Sequence, residues 1–236
     1  LYLFSLTFAI QKSIIYPAVQ LPALSKIMEN NTLKIEKGTM LPVMEAFYTI
    51  QGEGTFSGSP TYFIRLGGCD VGCVWCDVKE SWEAAKWPIL SIESIVNGAA
   101  QFPSRTVVIT GGEPLMYNLG PLTGALKANG FRIHIETSGA HPFSGTFDWV
   151  CFSPKKFKKP HPSIYEKADE LKVIAYHNSD FAFAEEHASK VKPSCQKLLQ
   201  PEWSKKESMT KKVIDYVKSN PNWKISLQTH KFMDIP

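Results

Sequence analysis

Thr106-Val107-Val108-Ile109-Thr110-Gly111-Gly112-Glu113-Pro114 is a run of β-branched residues that stops at two glycines. A continuous apolar run of this length fits a strand buried on both faces, as in a parallel sheet covered by helices. Working outward, the same grammar recurs. Strands are expected at Thr61–Leu66, Thr106–Thr110, Arg132–Thr137, Trp149–Ser153, Leu171–Ala175, Lys197–Gln200 and Ile225–Thr229. Helical patterns fall between them: Ser91 to about Ala100, Leu119–Asn129 with Gly130 as its stop, one starting after Asp180, and Lys205–Ser219 halted before Pro221. Alternating strands and helices imply βαβ units and a parallel sheet. Six or seven units fall short of a complete eight-fold barrel. The expected fold is therefore α/β, an incomplete (β/α) barrel or open parallel sheet in a single domain.

The strand ends share a composition. Gly67-Gly68-Cys69 follows the first, Gly111-Gly112-Glu113-Pro114 the second, Ser138-Gly139 the third, Pro154-Lys155 the fourth and Pro201-Glu202 the sixth, with His230 near the last. Glycine, polar residues and cysteine thus collect at the carboxyl end of the sheet, where α/β folds carry their sites.

Composition narrows the function classes. The chain has 236 residues, 44% hydrophobic and 20% charged, which excludes disorder and a fibrous architecture. A net charge of +4 is too weak and dispersed for a nucleic-acid protein. The basic run Lys155-Lys156-Phe157-Lys158-Lys159 is read as a solvated loop, with only Lys155 near a site. Residues 1–10 are nearly all apolar, but the run is far shorter than the roughly 20 residues a membrane span needs. It also lacks the basic start and cleavage site of a secretory signal. Residues 1–27 are expected to be an extension outside the fold, and residues 28–236, from Met28 onward, the domain.

Five cysteines are an odd number for a disulfide framework. Three of them crowd into Cys69-Asp70-Val71-Gly72-Cys73-Val74-Trp75-Cys76. Thiolates so spaced bind zinc or an iron–sulfur cluster. Three local ligands leave one metal position open, as a catalytic centre requires, whereas a structural zinc site would recruit a histidine such as His134 or His230. Cys151 and Cys195 lie in apolar strand contexts and are read as inert buried thiols.

Cys-x3-Cys-x-aromatic-Cys, followed by Gly-Gly-Glu-Pro at the end of the next strand, resembles the radical S-adenosylmethionine superfamily. Within it, Tyr48-Thr49-Ile50-Gln51-Gly52-Glu53-Gly54, Arg65, Gly67-Gly68-Cys69-Asp70, Glu136-Thr137, Ser153-Pro154-Lys155 and the Gln228-Thr229-His230-Lys231 to Pro236 tail are similar to one subfamily. Its members convert 6-carboxy-5,6,7,8-tetrahydropterin to 7-carboxy-7-deazaguanine with release of ammonia, in queuosine and 7-deazapurine biosynthesis. The match runs from about Met28 to Pro236.

The resemblance implies a set of roles. Cys69, Cys73 and Cys76 hold a 4Fe–4S cluster whose open iron binds the amino and carboxylate groups of S-adenosyl-L-methionine. An electron from a donor such as flavodoxin or ferredoxin generates a 5′-deoxyadenosyl radical, which takes a hydrogen from the pterin. Trp75 and Asp77 face the adenosine, Gly112 and Glu113 the methionine part, and Ser138, Ser153, Lys155 and Gln200 are further cofactor contacts. Ile50, Gln51, Gly52, Glu53, Arg65, Thr110 and Pro236 contact the substrate, Arg65 being suited to a bidentate grip on a carboxylate. The resemblance implies a homodimer; the cysteine chemistry needs a reducing, cytoplasmic setting, and charge and hydropathy point to no nucleic-acid or membrane partner. The subfamily uses Mg²⁺ held partly by a Ser or Thr two residues after the third cysteine; here that residue is Val78, which cannot ligate a hard cation. Two other readings are a glycyl-radical activating enzyme, which needs neither Gln51-Gly52-Glu53-Gly54 nor the tail, and a zinc-bound binding module without radical chemistry.

Overall fold

The computed structural model describes residues 32–236; the extension expected at residues 1–27 lies outside the described residues. Among the described residues nine strands form one sheet: β1 Met40–Ile50, β2 Pro60–Leu66, β3 Ile89–Ser91, β4 Thr106–Gly111, β5 Arg132–Thr137, β6 Trp149–Phe152, β7 Glu170–Ala175, β8 Gln196–Pro201 and β9 Trp223–Ile225. Their order is β3-β1-β2-β4-β5-β6-β7-β8-β9. From β2 to β9 every pairing is parallel, while β1 runs antiparallel to both β2 and β3. The sheet is open, with β3 and β9 at its edges. This is the incomplete barrel expected, with two strands added.

Those two were not legible as strands. β1 is only partly buried, carries Pro42, and has a register shift between Val43 and Glu45. β3 is three residues long. The last strand also differs from expectation: it spans Trp223–Ile225 rather than Ile225–Thr229. Its buried anchor is Trp223, whose indole N–H donates to Glu185 at 2.8 Å, whereas Ile225 and Leu227 are exposed. The chain then leaves the sheet, because the Thr229 amide and hydroxyl both donate to the Gly52 carbonyl at 2.8 Å. Thr229–Met233 forms a short helix where only a tail was expected.

Helices α1 Ile92–Ala100, α2 Gly120–Ala128, α3 Ser179–Ala188 and α4 Lys206–Ser219 follow the sequence reading within a residue or two, and α5 is the added Thr229–Met233. Local chemistry sets their ends. The Ser91 hydroxyl caps α1 by accepting from the Ser94 amide. After α2, the Gly130 and Phe131 amides bond back to the Lys127 and Leu126 carbonyls, the hydrogen-bond pair of a Schellman stop.

The period-two alternation of strands sorts side chains into two compartments. Val107, Ile109, Ile133, Ile135, Leu171, Val173 and Leu199 point toward the helices and join Ile95, Leu122, Leu126, Ala184 and Val213 in the main core. The alternate residues, among them Thr110, Glu136, Lys172 and Gln200, line a cavity on the other face. The sheet thus has an oily outer face and a polar, charged inner one. No helix among the described residues is long and apolar enough to cross a membrane.

Candidate active site

The inner face and the loops at the strand carboxyl ends enclose a cavity of about 490 Å³. Cys69, Cys73 and Cys76 all line it, carried by the loop after β2. All three are free thiols. Burial pushes the Cys69 thiol up, with the neighbouring Glu113 and Cys76 adding to the shift, and pushes Cys73 up to about 11. Both therefore hold their protons at neutral pH until a metal displaces them. Cys151 and Cys195 are buried away from this loop, and burial raises both further, Cys195 to about 12.

The loop is seated by backbone. The Gly68 and Cys69 amides donate to the Ser81 and Trp82 carbonyls at 2.6 and 3.1 Å, and the Tyr117 hydroxyl donates to the Gly67 carbonyl at 2.6 Å. Gly112 packs so closely that a Cβ there would lie 2.1 Å from the Gly68 carbonyl oxygen and 2.7 Å from the Cys69 Cβ. Asp70, next to the first cysteine, meets His141 at 2.9 Å and Lys158 at 2.5 Å, tying the loop to the β5 and β6 exits.

Every expected site residue lines the cavity except Glu113. The Glu113 carboxylate is buried and turned inward. It accepts from the Leu115 amide at 3.0 Å, the Thr137 hydroxyl at 2.5 Å, the Ser138 amide at 2.8 Å and the Ser138 hydroxyl. It pins the end of β5 to the end of β4, and Ser138 spends its hydroxyl there. Lys155 donates to the Ser153 carbonyl and hydroxyl, both at 2.6 Å, and sits 5.7 Å from the centre of the Trp75 ring. Asp77 receives Lys231 of α5 at 2.8 Å. Gln200 accepts from the Ser226 hydroxyl, which itself accepts from the Gly54 amide. Arg65 is paired through Nε to Glu45 at 2.6 Å and stands opposite Thr110 in register. The ion pair uses one edge of the guanidinium; the terminal nitrogens are the part that grips a carboxylate.

The Gln51–Glu53 loop forms a polar wall of the cavity. Gln51 Nε2 donates to Glu136 at 2.9 Å, and its carbonyl accepts from the Glu53 amide at 3.0 Å. Glu53 takes Lys172 at 2.5 Å and Gln228 at 2.8 Å. The sequence by itself suggests no role for Lys172, and Gln228 and Glu136 stand in it only as parts of motifs. The signal for Lys172 was a lone cation at an inward position of an otherwise apolar strand.

The donor set fits an iron–sulfur cluster. Among the described residues no three His, Cys, Asp or Glu side chains converge as a single ion demands. A cluster offering a separate iron to each thiolate does not need such convergence. Neither His134 nor His230 completes a four-ligand zinc site.

A partial barrel with three free thiols and the glycines of a Gly-Gly-Glu-Pro turn facing one cavity defines the radical S-adenosylmethionine class. The profile described as Radical SAM superfamily matches residues 63–174. The chain is 56% identical over 204 residues to the 7-carboxy-7-deazaguanine synthase of Flavobacterium psychrophilum, covering 86% of this chain and 97% of that one. It is 37% identical over 221 residues to the enzyme of the same name from Escherichia coli K12, covering 82% and 98%. The crystal structure of QueE from Escherichia coli superposes with a TM-score of 0.74 at 36% identity, over 84% of this chain and 98% of that one. The chain belongs to the 7-carboxy-7-deazaguanine synthase family.

Proposed function

We propose that this chain, with residues 28–236 as its working domain, converts 6-carboxy-5,6,7,8-tetrahydropterin to 7-carboxy-7-deazaguanine with release of ammonia. The observation that carries the reading is a single cavity lined both by the three cysteines and by the Gln51, Glu53, Glu136 and Lys172 group.

Cys69, Cys73 and Cys76 would hold the 4Fe–4S cluster, and Gly112, Trp75, Asp77, Ser153 and Lys155 would receive S-adenosyl-L-methionine. When bound, these cofactors supply a carbon radical that abstracts hydrogen from the substrate. The protein's part is position and exclusion of water. Burial works against the Glu53 carboxylate, but the charge of Lys172 and hydrogen bonds from Lys172, Gln228 and Gln200 outweigh it and hold Glu53 at about 2. Glu53 is thus an anion, suited to the N–H groups of an amino-pyrimidine ring. Arg65 suits the pterin carboxylate, and Pro236 brings the C-terminal segment to the same cavity. The Val78 side chain lines the cavity without an oxygen to offer a cation, so a role for Mg²⁺ would need oxygens from elsewhere. A homodimer and a small one-electron donor, in a reducing cytoplasm that keeps the thiols free, complete the reading.

The test is anaerobic reconstitution with iron and sulfide, then addition of dithionite, S-adenosyl-L-methionine and 6-carboxytetrahydropterin. A brown protein and formation of 7-carboxy-7-deazaguanine are expected. S-adenosyl-L-methionine cleavage with no product from the pterin would overturn the substrate, and a colourless zinc-loaded protein the class.

A further inference from the structure

The cavity floor carries a closed ring of contacts. Lys172 Nζ lies 2.5 Å from one oxygen of Glu53 and 3.7 Å from one oxygen of Glu136. The remaining oxygen of Glu136 takes Gln51 Nε2, and Gln51 Oε1 takes the backbone amide of Glu53. The Lys172 side chain is only 4% exposed, and that of Glu53 15%. Two carboxylates at a shielded site repel, and without a cation one of them would retain a proton. A protonated carboxyl donates a hydrogen bond as well as accepting one. Burial works against the Lys172 ammonium too, yet Glu136 and Glu53 together hold its pKa well above the ordinary lysine range. The ring also fixes which way Gln51 turns its amide.

We infer that Lys172 is a specificity-determining positioning residue: by bridging Glu53 and Glu136 it keeps the floor a hydrogen-bond-accepting surface, which selects a ring edge rich in N–H donors. This rests on the pterin reading above and adds to it. Among pterin-like molecules the floor would favour those with the 2-amino group over those without it. A site built around buried acceptors loses heavily when the matching donor is missing, since its own groups are then left unpaired.

The experiment uses the reconstituted holoenzyme, with 6-carboxytetrahydropterin and its 2-deamino analogue as the two probes. In Lys172→Met the KM for the natural pterin should rise about tenfold, with kcat changing far less, and the preference for the 2-amino compound should fall by a similar factor. Removing the lysine alone leaves two unshielded carboxylates and can cost folding. Lys172→Met/Glu136→Gln preserves the net charge of the group and serves in its place, with the same loss of preference expected. A folded variant with unchanged KM and unchanged preference overturns the inference. So does a fall in kcat that is equal for both probes, the mark of a purely structural role. If the wild-type enzyme turns over neither probe, the pterin reading fails and the inference with it.

Discussion

Lys231, on the C-terminal helix α5, donates to Asp77, the residue after the third cysteine, at 2.8 Å. Residues far apart in the chain thereby join the cluster loop to the segment that latches onto the Gly52 carbonyl through Thr229. Asp77 is well exposed, and such ion pairs contribute at most about 1 kcal/mol. Lys231→Met should leave the unfolding midpoint nearly unchanged. It should instead loosen the cavity wall, so that more 5′-deoxyadenosine forms per product than in the wild type. Measuring both products in one assay checks this; an unchanged ratio would mean that the pair is decorative.

The cysteines divide cleanly by position. Cys69→Ala, Cys73→Ala and Cys76→Ala should each lose most iron and all turnover. Cys151 donates to Glu170 at 3.2 Å within the buried inner layer, and Cys195 is buried in the core. Cys151→Ala and Cys195→Ala should keep both iron and turnover. Iron analysis after anaerobic reconstitution decides it, and full iron in Cys73→Ala would sink the cluster assignment.

Val78 contributes its carbonyl, not its side chain, to local bonding: it accepts from the Ser81 amide at 3.1 Å and the Ser81 hydroxyl at 2.7 Å. Hard cations need oxygen ligands, so added Mg²⁺ should change turnover by less than about twofold. Val78→Thr should increase the response. Should a chelator abolish wild-type activity and Mg²⁺ restore it, Ser81→Ala would report whether that buried hydroxyl is the ligand.

His134 gives a pH signature. Its ring packs 4.6 Å from Phe56, and Nε2 is the one buried side-chain polar atom without a partner among the described residues. Burial, reinforced by the charge of Arg132, lowers its pKa from 6.5 to about 4, against weaker pulls from Asp148, Glu170 and Asp169. The folded form is therefore neutral where the unfolded chain takes a proton. Stability should fall as pH drops from about 6.5 to 4, by ~3 kcal/mol in full. His187, lowered mainly by burial, acts in the same direction. The Glu53–Lys172 pair adds nothing in the upper part of this window, since the Glu53 contribution is lost only as pH falls from 4.5 toward about 2. Denaturant unfolding of the metal-free protein at pH 7 and pH 5 should show a smaller loss for His134→Phe. Parallel losses would mean that His134 titrates normally.

How much of this was legible in the sequence follows from range. The parallel strands announce themselves because their outer-face residues are buried in one helix-covered core, so Val107-Val108-Ile109 reads apolar by itself. β1 does not, since its partners run antiparallel and leave much of it half exposed. The cysteine and glycine positions are local spacing. Lys172 stands out in its strand, but its role is not legible there, because the meaning of a strand lysine depends on Glu53, 119 residues earlier, and on Glu136. Glu113 was legible as a motif but not in direction: backbone donors nearby captured its carboxylate and turned it from the cavity.

Gly112 allows the seating of the cluster loop to be tested separately from its thiols. A Cβ at this position would stand 2.1 Å from the Gly68 carbonyl oxygen, and backbone there cannot swing aside as a side-chain tip does. That carbonyl also accepts from the Glu113 amide at 2.9 Å, so displacing it breaks the bond joining the β2 and β4 exits. Gly112→Ala should therefore lower iron retention and turnover, although no ligand is removed. Gly124 is the control. It lies within α2, and a Cβ there meets nothing within 4 Å. Alanine in an exposed helix interior is favoured over glycine by about 1 kcal/mol. Gly124→Ala should thus raise the unfolding midpoint slightly and leave iron content and turnover at wild-type values. Full iron and normal turnover in Gly112→Ala would mean that the two loops can separate without cost, and the close approach of Gly112 to Gly68 would then have no part in holding the cluster.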